Sequence, residues 1–393
     1  MTYSLYFHIP FCRQRCHYCD FNTTTGNEGL IPAYVDALIK EFRVVINNQS
    51  DMTIDTIYFG GGTPSLISAA GYEKLLTELD TVFLLTENCE ISLEANPGTI
   101  SLDYLERLNN LGFNRISLGV QSTDTFDLLR LDRIHDIDDV LSSVSHARSA
   151  GFENINLDLI FGLPWQDLTS WQNSLQRAIQ LNPEHFSIYS LIVEPGTPLN
   201  YWYQRGLIAE TDQDLEGEMY ELTINMLHEA GYEHYEISNW RKRSLEKDCR
   251  CRHNLQYWRN QPYFGFGASA HGYVEQKRTV NIPNLFNYLE VMKDNEPGIR
   301  PFPAGPATIS MTPVDLQTQM RDFMMLGLRL TQEGVSENRF QRFYRKSMKS
   351  VFEEEISYLL TNKLIEWVDA DLQQLRLTPR GIMVANQVFM QFV

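Results

Sequence analysis

The sequence predicts an α/β fold: a barrel or partial barrel of six strand–helix units, followed by a smaller helical, winged-helix-like domain. Three observations carry that expectation. Short β-branched and aromatic runs alternate with helical patterns over the first two-thirds of the 393 residues, as in a parallel sheet with helical crossovers. Polar and glycine residues gather at the C-terminal ends of those runs, the rim on which barrel active sites are built. Beyond a proline-rich stretch the pattern turns helical and then closes in a hairpin.

The first strand is SLYFHI from Ser4, with His8 near its end. IPAYVDALIKEFRVVI from Ile31 is a helix that puts Tyr34, Leu38, Phe42 and Val45 on one face. TIDTIYF is the second strand and runs into GGGTP, Gly60 to Pro64, with a helical stretch from Ser65. CEISLEANP is the third, carrying Glu94; its Cys89 reads as a buried, inert thiol. A helix follows from Ser101. NRISLGVQS, NINLDLIFGLP and HFSIYSLIV complete the six, with Gln121 and Asp158 expected at strand ends. Residues 240–295 are less regular and hold CRCRHNLQYW and PYFGFGASAHGY. Five of the sixteen prolines fall between Pro297 and Pro313, the clearest boundary in the chain. From Asp315 a helix, a turn at Gln332-Glu333-Gly334 and further helices lead to Leu364, and IEWVDADLQQLRLTPRG reads as a hairpin. The expected domains are residues 1–240, 241–300 and 314–393. The last is not strongly basic, so packing or a lid is the expectation for it.

Composition narrows the function. A net charge of −17 argues against a broad phosphate-binding surface and hence against a nucleic-acid partner. No run approaches the ~18 apolar residues of a membrane span. The start, MTYSLYFHIPFC, has neither a basic n-region nor an apolar h-region, which makes a cytoplasmic location the expectation. Of the six cysteines, Cys12, Cys16 and Cys19 form a C-x3-C-x2-C run on the loop after the first strand. Clustered thiols in a reducing compartment are metal or redox groups more often than disulfides. A structural zinc site needs four ligands, for which His8 and His17 are the available fourths. A [4Fe-4S] cluster on three cysteines leaves one iron open, and S-adenosylmethionine (SAM) can chelate it through its amino and carboxylate groups. One electron then cleaves the sulfonium C–S bond, chemistry that belongs to the cofactor while the protein orients and shields.

The spacing on that loop, with Tyr18 before the last cysteine, resembles the radical SAM superfamily. YFHIPFC, CHYCDF, YFGGGTPS, LEANP, SLGVQS, NLDLIFGLPWQ and the Pro-Gly-Thr-Pro at 195–198 resemble, more closely, the oxygen-independent coproporphyrinogen oxidase family over nearly the whole chain. The resemblance implies a TIM-like partial (β/α)6 barrel, a helical C-terminal domain and two SAM positions. Tyr6, Gly61 and Glu94 would contact the first; Gly62, Thr63, Gln121, Arg133 and Asp158 would line the second. Three features separate the chain from the decarboxylating branch. Phe21 stands where that branch has a fourth cysteine, only eleven residues precede Cys12, and RHNLQYW places His253, Asn254, Tyr257 and Trp258 in an H-N-x-x-Y-W pattern. All three resemble the sister group, the HemW-like heme chaperones.

That resemblance implies heme as a third cofactor and an acceptor protein such as a membrane-associated respiratory enzyme, with a homodimer as the assembly. His253 is then the expected heme contact. Cys249 and Cys251 are further candidate ligands, and Arg250, Arg252 and Arg259 are local cations for the propionates. Two other activities fit the same cluster loop: coproporphyrinogen III decarboxylation, and a radical SAM reaction on a non-porphyrin substrate.

Overall fold

The structure, a computed structural model, describes residues 2–46, 52–209, 212–243, 247–293, 300–369 and 373–393. Six strands, β1 (Thr2–Ile9), β2 (Thr53–Gly61), β3 (Leu84–Ala95), β4 (Arg115–Gln121), β5 (Ile155–Phe161) and β6 (His185–Ser190), pair in sequence order, each parallel to the last. The connections carry α1 (Ile31–Ile46), α2 (Ala69–Asp80), α3 (Leu102–Asn110), α4 (Thr125–Arg130), α5 (Ile137–Ser149) and α6 (Leu168–Gln180). Side-chain caps start four of them: Ser68 and Ser101 accept backbone N–H groups of α2 and α3, and Asp136 and Asp167 form capping boxes at α5 and α6.

Period-two alternation gives this sheet one apolar and one polar face. Phe7 stacks on Phe59 at 5.0 Å, and Phe59 meets Tyr72 of α2 and Phe113 of the α3–β4 connection, all four fully buried. The opposite face is joined by side-chain hydrogen bonds: Thr56 to Ser4, Tyr58 to Glu94, Ser117 to Asp158, and Asn156 to Ser117. The array stays an open barrel because β1 takes as its second neighbour not β6 but a strand from much later in the chain.

That strand belongs to a segment the sequence pattern left irregular. After α7 (Pro198–Gln204) and α8 (Gln213–Glu229) the chain forms a hairpin, β7 (Tyr232–Glu236) and β8 (Asn239–Lys242), and then α9 (Arg252–Trp258). β9 (Tyr263–Phe266) next adds to β1 in parallel, followed by β10 (His271–Val274), β11 (Lys277–Asn281) and β12 (Thr308–Pro313). Glu41 of α1 fastens the segment. Its carboxylate accepts from Gly267 N–H at 2.8 Å, Asn281 Nδ2 at 2.6 Å and Tyr288 O–H at 2.6 Å. Burial pushes its pKa up to about 7 against those three bonds. Glu41→Ala strands three buried donors, so it is expected to lower unfolding stability by about 2–4 kcal/mol, read from the denaturant midpoint at constant m.

The domain boundaries accordingly differ from the expected ones. One unit comprises Met1–Met219 and Pro262–Thr312, the other Tyr220–Gln261 and Pro313–Val393. Residues 262–300 join the barrel because β9 to β11 extend its sheet. Residues 220–261 join the C-terminal helices through Ile237 N–H to Arg329 O, Thr331 N–H to Tyr235 O and the Arg259–Glu333 ion pair. Pro297 lies outside the described residues, and Pro301 to Pro306 belong to the first unit.

The second unit packs helices 316–327, 337–344, 348–351 and 353–361 on a small antiparallel sheet of β13 (Val335–Ser336), β15 (Gln374–Leu377) and β14 (Ile365–Asp369). Its core includes Met324, Leu328, Phe340, Leu359 and Leu375. This is the expected winged-helix-like arrangement, and the hairpin falls where the sequence predicts it. Among the described residues no helix is long and apolar enough to cross a membrane.

Candidate cluster and cofactor site

The cysteine loop leaves the C-terminal end of β1 and is stitched at both sides. Cys12 N–H donates to Thr24 O at 2.9 Å and Thr24 N–H to Pro10 O at 2.7 Å, closing the loop's base. His17 N–H donates to Leu131 O, the His17 ring bonds Arg130 O at 3.1 Å, and Leu199 N–H donates to His17 O. Arg15 donates twice to Cys19 O. Three thiols are thus carried by a loop that the backbone holds without their help.

Side-chain donors reach two of the sulfurs. Thr63 O–H lies 3.5 Å from Cys12 Sγ, and Arg133 Nη1 lies 3.3 Å from Cys16 Sγ. Such bonds tune the charge that a thiolate-ligated metal carries. Burial pushes the Cys12 thiol up and the Cys19 thiol up to about 11, so ligation there must release protons. Tyr18 packs against Leu131, Ile160, Leu163, Leu191 and Leu199, which seats its ring beside the loop in an apolar wall.

The glycine segment lies directly beneath. Gly62 N–H donates to Ile9 O at 2.8 Å and Thr63 N–H to Phe11 O at 2.7 Å. Gly61 has φ +112°, and a Cβ there would sit 2.5 Å from the His8 ring. Tyr6 O–H and His8 Nδ1 are 3.1 Å apart, and Tyr6 stacks on Tyr58. Glu94 accepts from Tyr58 O–H at 2.8 Å and from Gly61 N–H at 3.0 Å. Burial first, then the charge of Asp158, pushes its pKa up to about 7.

Arg133 is the hub of the rim. Besides Cys16 it donates to Asn96 Oδ1 at 2.5 Å and Gly119 O at 2.6 Å, and its buried Nε has no acceptor. Asn96 in turn donates to Thr63 O–H at 3.0 Å. Sequence reasoning passed over Asn96, although it sits two residues after Glu94 in LEANP, inside a quoted motif. Gln121 ends β4 at φ +66°, a left-handed conformation that costs a non-glycine residue about 1 kcal/mol or more and marks functional rims.

Asp158 departs from its expected place. It sits inside β5, not at its end, and accepts from Ser117 O–H at 2.9 Å and Asn156 Nδ2 at 2.7 Å. Burial, the larger effect, raises its pKa against these bonds. It is therefore the floor of the site and not its rim. A cleft of about 290 Å3 opens between Gln14, Cys16, Thr63, Asn96 and Arg133.

The residues fit the implied cluster and SAM. The donor set is three thiols with N–H and O–H donors on two of them, Gly61 and Gly62 form a cradle that a Cβ would fill, and a buried Arg133 N–H awaits an acceptor. The zinc alternative fits less well. His8 bonds Asn22 O at 2.9 Å, and His17 is held by Arg130 O and Asp132. Among the described residues no three of His, Cys, Asp and Glu converge as ligands of one ion. A cubane asks something different, one cysteine on each of three irons.

The HNLQYW motif forms α9 of the second unit. His253 is only 1% exposed, with Nε2 2.8 Å from Tyr257 O–H and the two rings edge to face. Its ring packs on Tyr257, one turn further along α9. Cys249 and Cys251 are buried too. Arg250 is paired with Asp248 and Arg259 with Glu333, so neither is a waiting cation. His253→Ala is expected to lower stability by about 1–3 kcal/mol in denaturant melts and to leave the Soret band of bound heme unmoved. A shifted band would return His253 to the axial position.

An open parallel barrel with three thiols on the loop after β1 and a glycine cradle after β2 defines a radical SAM protein, and residues 6–178 match the Radical SAM superfamily. "Heme chaperone HemW" of Bacillus subtilis is 37% identical over 391 residues, covering 99% of both chains. Its Lactococcus lactis namesake is 34% identical over 390 residues, 99% of this chain and 97% of its own. The Escherichia coli one is 37% identical over 311, covering 76% and 80%. The chain belongs to the HemW family. In fold it is similar to the radical SAM enzyme coproporphyrinogen III oxidase (HemN) of Escherichia coli, with a TM-score of 0.82 at 22% identity, covering 100% of this chain and 90% of the other.

Proposed function

We propose that this protein is a heme chaperone: it binds heme, holds a [4Fe-4S] cluster on Cys12, Cys16 and Cys19, takes SAM at the glycine rim, and delivers heme to an acceptor protein. What carries the reading is end-to-end identity of 37% with a relative named for that role. Phe21 supports it: 58% exposed, it stands where the decarboxylating branch has a fourth cysteine. A bound cluster and SAM would supply one-electron chemistry at a sulfonium. The chain's own residues prepare the place. Gly61 and Gly62 let backbone approach the ligand, Glu94 offers an acceptor to its amino or ribose groups, and Tyr6 walls that side. Thr63, Gln121 and Arg133 would line a second SAM position, with Asp158 as its floor. The acceptor would be a membrane-associated respiratory enzyme, and the working assembly a homodimer.

The test is transfer. Cluster-loaded protein is charged with heme, mixed with membranes that hold an apo-respiratory enzyme, and its heme spectrum followed alongside enzyme activity. The expected result is loss of heme from this protein matched by gain of activity; retained heme with no gain overturns the proposal. The HemN-like fold favours a second reading, oxidative decarboxylation of coproporphyrinogen III. Repeated anaerobic turnover to carbon dioxide and protoporphyrinogen, with SAM and a low-potential reductant, would establish it.

A further inference from the structure

The second unit contains a cleft of about 360 Å3 that the cluster site does not use, lined by Trp258, Arg259, Phe323, Leu330, Glu333 and Arg339 among others. Its two arginines differ. Arg259 is engaged: Nε and Nη2 form a fork on the Glu333 carboxylate, the shortest arm 2.6 Å. Arg339 donates to Arg259 O at 2.9 Å and lies 5.7 and 5.6 Å from the Phe323 and Phe343 rings, and it makes no ion pair among the described residues.

That arrangement is unbalanced. A guanidinium stays charged at any physiological pH, and here two of them, Arg259 and Arg339, share the single carboxylate of Glu333, which Arg259 already forks. In a chain of net charge −17, carboxylates are not scarce. Burial lowers the Arg339 pKa, which records the same unfavourable setting. Trp258, on the same cleft, adds a second unmatched donor: its Nε1 is buried without an acceptor, while the Arg329 guanidinium covers its ring at 4.3 Å. The cleft thus pairs apolar walls with one buried donor that has no acceptor, Trp258 Nε1, and one guanidinium charge in excess of the carboxylates that line it. Their complement is an anionic acceptor on an apolar stem.

We infer that this cleft seats a propionate arm of the heme, with Arg339 as its cation. The inference rests on the heme-binding reading above and gives it a place. So narrow a cleft suits a carboxylate arm and not a whole macrocycle. It also supplies what Arg250 and Arg259 do not, since both already have carboxylates.

Hemin and hemin dimethyl ester, whose propionates are capped, are titrated against the full-length protein and its Arg339→Gln variant. Wild type is expected to bind the ester about tenfold more weakly than hemin, the size of one lost charge-assisted hydrogen bond. Arg339→Gln is expected to weaken hemin about tenfold and to erase the preference, and Arg339→Lys to restore part of it. The wild-type ratio requires no variant to fold. Equal binding of hemin and ester by wild type overturns the inference. An undiminished preference in Arg339→Gln overturns it too, while leaving the chaperone reading standing. A wild-type protein that takes up neither compound overturns that reading and the arm site with it.

Discussion

Gly62→Ala is expected to give a folded protein that no longer holds a stable cluster. A Cβ at position 62 would lie 2.7 Å from Phe11 O, 2.8 Å from Ile9 O and 3.0 Å from Cys12 Sγ. Two of those atoms are backbone at the end of β1, tied to residues 62 and 63 by hydrogen bonds, so neither can step aside as a side-chain tip would. The added methyl must push the loop outward and take Cys12 with it. The apolar core around Phe7 and Phe59 is not touched, so the barrel itself should persist. Anaerobic reconstitution followed by iron and sulfide analysis checks this. Cluster affinity is expected to fall roughly 10–100-fold, the range seen when groups supporting a metal ligand are disturbed. Wild-type cluster content in the variant would mean that the loop does not depend on the cradle beneath it.

The second large effect is expected at Glu94, and it depends on pH. With its pKa pushed up to about 7 by burial and by Asp158, the carboxyl is only partly ionised near neutrality. An ionised carboxylate is the better acceptor for an amino or ribose group, so SAM binding should favour the deprotonated form. Affinity is then expected to rise with pH through about 7 and level off above it, falling about tenfold per unit below. For the ligand-free fold the sign is reversed. The unfolded chain ionises near the ordinary value of 4.5 while the folded site keeps its proton, so stability declines from there to about pH 7. Glu94→Gln should remove both slopes. It also sets an amide N–H against the Gly61 N–H or the Tyr58 O–H, and SAM affinity should fall at least tenfold at pH 8. Equilibrium dialysis with the cluster-loaded protein measures both. A flat profile in the wild type would show that Glu94 does not meet the ligand.

The barrel was legible in the sequence because its strands are flanked by strong signals. The apolar face of β1 to β6 repeats at period two, and glycines or single polar residues end the runs at the rim. Asp158 misled because NLDLIF contains a polar residue that reads as a strand end, whereas the neighbouring Asn156 and Ser117 make it part of an inward polar stripe. β9 and β10 were illegible for a different reason. YFGF and HGYV are four residues each, too short to establish a period, and each includes glycine; only their pairing with β1 and with one another makes them strands. Cysteine spacing announced the cluster loop, but the Arg133–Asn96–Thr63 chain that supports it crosses three βα units and has no local signature. The burial of His253 was hidden because a motif reports which residues recur together, not which way a ring turns.

The return of the chain to β1 has a bearing on biosynthesis. β1 leaves the ribosome well before β9, its partner on the open side, which follows some 260 residues later. At ordinary translation rates of about 5–20 residues per second, that edge stays unpaired for roughly a quarter of a minute or more. An exposed parallel edge is an invitation to wrong partners. The C-terminal unit must wait as well, since Tyr220–Gln261 has its packing partners only after Pro313 has been made. The first unit cannot finish folding before Thr312 has been made, and the second not before the helices beyond Pro313 have. A truncation at the apparent proline boundary would therefore not yield an independent barrel with its helical appendage removed. It would yield a barrel carrying an orphaned hairpin and helix.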